Sequence, residues 1–199
     1  MSDPIDYLIV PGWHGSGPDH WQSHWQALMP NSRRTQVGDW EYPERQDWVD
    51  SLQREVAAST SRRQVIVAHS LGCVTVAHWA QRHGQQYGGR ILGALLVAPA
   101  DVERPDTAAA LRGFAPIPLA PLPFPSLLIG STNDRAASAD RALTLAAHWG
   151  SDTEILKDVG HINTASGHRQ WIGGLRYLAR LVQRPHSPLL APPAARRRA

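Results

Sequence analysis

The stretch Val65-Ile66-Val67-Ala68-His69-Ser70-Leu71-Gly72-Cys73 constrains this chain more than any other. A β-branched apolar run enters a serine, and helix-forming residues begin directly after it. No residues remain for a loop. The backbone must turn sharply at Ser70, with strand and helix packed against each other. An apolar run without alternation marks a strand covered on both faces, as in a parallel sheet buried between helices.

The rest of the chain repeats that pattern. Tyr7-Leu8-Ile9-Val10 is a short apolar run closed by Pro11-Gly12 and reads as a buried strand. Further strands are expected near residues 33–37, 91–98, 126–130 and 153–156. Helices are expected over residues 19–29, with Asp19 as N-cap and Pro30 as stop, and over 45–58, 71–83 and 140–149. Trp48, Val49, Leu52 and Val56 give the second of these one apolar face. A final helix is expected over 168–182, with Trp171, Ile172, Leu175 and Leu178 on one face. Residues 99–125 hold seven prolines, which lack the amide donor of a regular element. They read as an irregular excursion with a short helix over 107–112. Alternating strands and helices predict an α/β fold. Its sheet has about six mostly parallel strands in right-handed βαβ units, with helices on both faces.

At 199 residues the chain suits a single domain, expected over 1–184, followed by a disordered Pro/Ala/Arg-rich tail over 185–199. No segment approaches the roughly 18 apolar residues of a membrane helix, so no membrane role is expected. Residues 1–6 are acidic and lack the apolar core of a signal peptide, which points to a cytoplasmic protein. The single cysteine, Cys73, excludes an internal disulfide framework and fits a reducing compartment. The net charge of +3 resides in Arg196, Arg197 and Arg198; the other 17 basic residues balance 17 acidic ones. With no basic stripe in the body, nucleic acid is not an expected partner.

The candidate chemistry centres on Ser70. A serine held on a sharp strand-to-helix turn is a nucleophile elbow, with its hydroxyl raised above the sheet. Side chains two positions away must be small to clear the turn. Gly72 meets this on the later side, and Ala68 stands where glycine is commoner. The bland alternative is a serine that only caps the helix. A serine nucleophile needs a base, and the base needs an orienting acid. Such sites run in chain order serine, acid, histidine, each after a strand end. Asp134 follows the 126–130 strand and His161 follows the 153–156 strand. Asp101, after the 91–98 strand, is a rival acid; Asp134 is preferred because it lies one strand nearer the histidine loop. All these positions fall on the carboxyl edge of the sheet, where ligands bind in open parallel sheets.

The loop Pro11-Gly12-Trp13-His14-Gly15-Ser16-Gly17 follows the first strand. A loop so placed donates one oxyanion-hole amide, and the residue after the nucleophile donates the other. The donors would be the backbone amides of Trp13 and Leu71. The glycines fit neither the dinucleotide nor the P-loop spacing, and no cofactor is expected. His20 and His24 are four apart, but position 21 is tryptophan rather than glutamate and no third ligand follows, so no metal is expected. Cys73 reads as a small core residue. Eight tryptophans hint at an apolar cleft.

Taken together, Pro11-Gly12-Trp13, Ser16-Gly17-Pro18, His20-Trp21-Gln22, Trp25, Ala68-His69-Ser70-Leu71-Gly72-Cys73, Ser131-Thr132-Asn133-Asp134 and Gly160-His161-Ile162-Asn163 carry a resemblance. The chain resembles the YdeN-like serine hydrolases, a branch of the α/β-hydrolases related to retinoblastoma-binding protein nine. The resemblance spans about residues 5–182. It implies an α/β-hydrolase fold without a large lid domain and a triad at Ser70, Asp134 and His161. The expected activity is hydrolysis of a small ester-type bond in a small-molecule acyl substrate, by a monomer or small homo-oligomer. A thioesterase or amidase could use the same triad. An interaction module that keeps the fold is the alternative outside catalysis, though no protein partner is indicated.

Overall fold

The computed structural model describes residues 4–183; the expected tail over 185–199 lies outside the described residues. Six strands form one sheet in the order β2-β1-β3-β4-β5-β6, every adjacent pair parallel. They are β1 (Asp6–Val10), β2 (Ser32–Arg34), β3 (Gln64–His69), β4 (Ile91–Val97), β5 (Ser126–Ser131) and β6 (Asp152–Leu156). Five α-helices connect or follow them: α1 (Trp21–Leu28), α2 (Arg45–Ala58), α3 (Leu71–His83), α4 (Ala139–Trp149) and α5 (Leu175–Val182).

Strand side chains alternate between the two faces. Ile66, Ala68, Ala94, Leu96 and Leu128 pack with α2, α3 and α4. Val65, Val67, Leu95, Val97, Leu127 and Ile129 pack with α1 and α5. Every residue of β3, β4 and β5 is buried, because helices cover both sides. This is why those strands read as unbroken apolar runs. Leu52, Ile66, Leu71 and Leu95 are fully buried, each contributing roughly 1.5–3 kcal/mol by leaving water.

Three local expectations change. The first helix begins two residues later than expected: His20 caps it, its Nδ1 accepting from the Gln22 amide at 3.2 Å, while Asp19 pairs with Arg169. The excursion's short helix is a 3₁₀ segment at Ala109–Phe114, shifted toward the prolines, with Phe114 and Ile117 anchoring it in the core. The final helix starts only at Leu175. Trp171 adopts φ +41°, and a Cβ at Gly174 would come within 2.4 Å of its ring. The indole folds back over the glycine and stacks on Trp25, and Ile172 is left exposed.

Candidate active site

Because the sheet is parallel, the segments after β1, β3, β4, β5 and β6 emerge at one edge. Ser70 sits between β3 and α3 with φ +54° and ψ −121°, a strained conformation for a non-glycine residue. Its amide donates to the Val97 carbonyl at 3.0 Å, tying the turn to β4. Its side chain makes no hydrogen bond to the helix, so the capping alternative fails. Two glycines admit this turn. A Cβ on Gly72 would lie 2.3 Å from the Val10 carbonyl oxygen, and one on Gly12 would lie 2.8 Å from the Ser70 Cβ. Gly12 therefore serves close approach rather than backbone freedom. Ala68, fully buried, is accommodated where glycine is commoner.

His161 Nε2 stands 2.9 Å from Ser70 Oγ. Its Nδ1 stands 2.8 Å and 3.0 Å from the two carboxylate oxygens of Asp134. A carboxylate only accepts, so Nδ1 carries the proton and Nε2 is left to accept from the serine hydroxyl. The Asp134 side chain is 3 % exposed and also accepts from the Ala136 amide at 2.7 Å. Asp101 also borders the cleft but is held by other partners: it pairs with Arg141 at 3.3 Å and accepts from the Glu103 amide at 3.1 Å. The arrangement can move a proton from the serine hydroxyl onto the imidazole and hold the resulting positive charge.

Trp13, Ser70, Ala100, Leu111 and His161 line a cleft of about 310 Å³. The Trp13 indole donates to the Glu41 carbonyl at 2.9 Å and stacks on His14. Among the described residues, neither the Trp13 nor the Leu71 amide has a hydrogen-bond acceptor. Two donors flanking the serine are thus unspent.

Several supporting residues were not singled out from sequence. Asn133 Oδ1 accepts from the Gly160 amide at 2.7 Å and from Ser131 Oγ at 2.9 Å, joining the acid loop to the histidine loop. The Asp158 amide donates to Thr132 Oγ1 at 2.9 Å across the same gap. The Gln22 amide group donates to the carbonyls of Val10 and Val67, at 3.2 and 3.0 Å, bracing the ends of β1 and β3. The Ser131-to-Asp134 and His20-to-Gln22 motifs contained these residues, but their roles depend on contacts between distant loops.

Cys73 and His20 are unsuited to the chemistry. Burial pushes the Cys73 thiol far up, leaving it protonated behind Ser70. Burial, with Arg34 and His161 nearby, pushes His20 down to about 4. His20 and His24 share no third ligand; among the described residues no group of three His, Cys, Asp or Glu could hold a metal. No helix of the described residues is long and apolar enough to cross a membrane.

Residues 7–180 match the family described as Serine hydrolase. A YdeN-like hydrolase from Pectobacterium atrosepticum is 31% identical, with 89% of this chain and 90% of that one covered at a TM-score of 0.77. The ydeN gene product of Bacillus subtilis is 17% identical over 90% and 99% of the two chains, at 0.72. An esterase from Thermogutta terrifontis is 16% identical over 92% of each chain, at 0.64, and shares the fold. No functionally curated protein matches the chain by sequence.

Proposed function

Since the chain belongs to the serine hydrolase family, we propose that Ser70, His161 and Asp134 are its catalytic triad and that it cleaves a small ester-type bond by acyl transfer to water. One observation carries this reading. An unbroken hydrogen-bond chain runs from Ser70 Oγ through both imidazole nitrogens to the buried Asp134 carboxylate, with links of 2.9 and 2.8 Å.

In the reaction, Ser70 Oγ attacks the acyl carbonyl while His161 Nε2 takes its proton. Asp134 fixes the tautomer and stabilises the imidazolium. The unspent amides of Trp13 and Leu71 receive the oxyanion, helped by the positive end of α3. One such donor is typically worth about 100–1,000-fold in rate. The imidazolium then protonates the leaving group, and His161 activates the water that releases the acyl group from Ser70. A cleft of about 310 Å³ suits a small substrate.

The test uses a fluorophosphonate probe and a panel of p-nitrophenyl esters, a thioester and an amide. The wild type is expected to label and to turn over short esters fastest. Ser70→Ala is expected to lose both activities. Labelling that survives Ser70→Ala would sink the triad, and faster turnover of the thioester or amide would change the substrate class.

A further inference from the structure

His161 must be held still between Ser70 and Asp134, yet the turn that carries it is strained. The next residue, Ile162, is β-branched and adopts φ +48°; Asp158 and Gly160 in the same loop have φ of +55° and +61°. A β-branched residue in the left-handed region is strained and persists only where its surroundings over-determine it. Two buried ring N–H groups do so. His69 Nε2–H donates to the His161 carbonyl at 2.9 Å. Trp21 Nε1–H donates to the Ile162 carbonyl at 2.8 Å. The two carbonyls are consecutive, and both donors are buried.

Strand register aims these donors. His69 ends β3 and alternates with Val65 and Val67 onto the face that α1 and α5 cover. Trp21 opens α1 on that same face and meets His69 edge to face, ring centroids 5.9 Å apart. One donor thus arrives beside the nucleophile and the other from the N-terminal helix, both at the backbone of the base.

We infer that His69 and Trp21 are positioning residues for His161: their paired hydrogen bonds to consecutive carbonyls fix the strained turn that aims its imidazole at Ser70. This rests on the triad reading. His69 suits the task chemically as well. Burial, with His161 and His20 close by, holds its pKa well below the usual histidine value. It clamps the carbonyl while uncharged. The imidazolium that forms on His161, at a ring separation of 4.9 Å, therefore meets no added positive charge.

The test compares His69→Leu, which removes the donor, with His69→Gln, which keeps a neutral N–H donor, and with Trp21→Phe, which keeps aromatic packing. Hydrolysis of p-nitrophenyl acetate gives kcat and KM. The downfield proton resonance of the His161–Asp134 hydrogen bond reports the geometry directly. His69→Leu is expected to lower kcat about 10–100-fold, the usual cost of a small misplacement, and to lose the resonance, with KM nearly unchanged. His69→Gln is expected to recover most of both. Trp21→Phe is expected to lower kcat about tenfold, again at nearly constant KM. Circular dichroism checks folding; if His69→Leu does not fold, Trp21→Phe and His69→Gln decide. Wild-type kcat and resonance in the folded donor-less variants would overturn the inference. So would His69→Gln and His69→Leu equally impaired. Neither result touches the triad, which fails separately if Ser70→Ala still labels.

Discussion

Asp134 and Asp101 follow adjacent strands and differ in what they face. Asp134 meets an imidazole and a backbone amide; Asp101 meets the Arg141 guanidinium. Asp134→Asn keeps the acceptor for the Ala136 amide but offers His161 Nδ1 no carboxylate, leaving the imidazole in the wrong tautomer. It is expected to lower kcat for p-nitrophenyl acetate by about 10⁴, whereas Asp101→Asn should stay within a few-fold of wild type. Steady-state kinetics on the two variants checks this, and the reverse ranking would move the acid to Asp101. Sequence order and strand spacing were enough to bring Ser70, Asp134 and His161 forward, because each motif sits beside a recognisable strand end. His69 and Trp21 were legible only as letters within motifs. Their contacts to the histidine loop join residues 92 and 141 positions apart, a separation no local pattern encodes.

At the scale of elements, glycine is usually a loss inside a helix, since alanine is favoured there by roughly 1 kcal/mol. Gly72, second in α3, reverses that sign. Its Cβ would strike the Val10 and Pro11 carbonyl oxygens, at 2.3 and 2.6 Å, and backbone cannot swing aside as a side chain can. Gly72→Ala is expected to destabilise the fold by about 1–3 kcal/mol or more, measured as a lowered denaturant midpoint. A midpoint at or above wild type would show that β1 and α3 tolerate separation. The same element-level logic explains which predictions from sequence failed. Central strands were readable because burial on both faces leaves only apolar side chains. The start of the last helix was not, because Trp171, Ile172, Leu175 and Leu178 repeat at helical spacing. The left-handed Trp171 and the close-packed Gly174 override that periodicity, and Ile172 ends up 57% exposed.

At the scale of the whole molecule, burying neutral histidines makes folding sensitive to acid. His20 titrates near 6.5 in an unfolded chain and near 4 in the folded one. Between those values the unfolded state binds more protons, so stability falls as pH drops below about 6.5. The His20 contribution to that loss is roughly 3 kcal/mol by pH 4. His69, shifted the same way, adds to the loss. Denaturant midpoints are expected to be flat near neutrality and to decline through this window. His20→Asn, which keeps a capping side chain, should flatten part of the decline; an unchanged slope would refute the assignment.

The hydrogen bond between Trp21 and Ile162 spans 141 residues. During synthesis the segments near the amino terminus emerge and begin to organise first. The serine proposed as nucleophile is therefore made 91 residues before the histidine proposed as its base. Until the histidine loop docks on the first helix, the hydroxyl is as unreactive as any other surface alcohol. On the triad reading, the long-range closure acts as a maturation step: reactivity appears only when the first and last quarters of the chain come together.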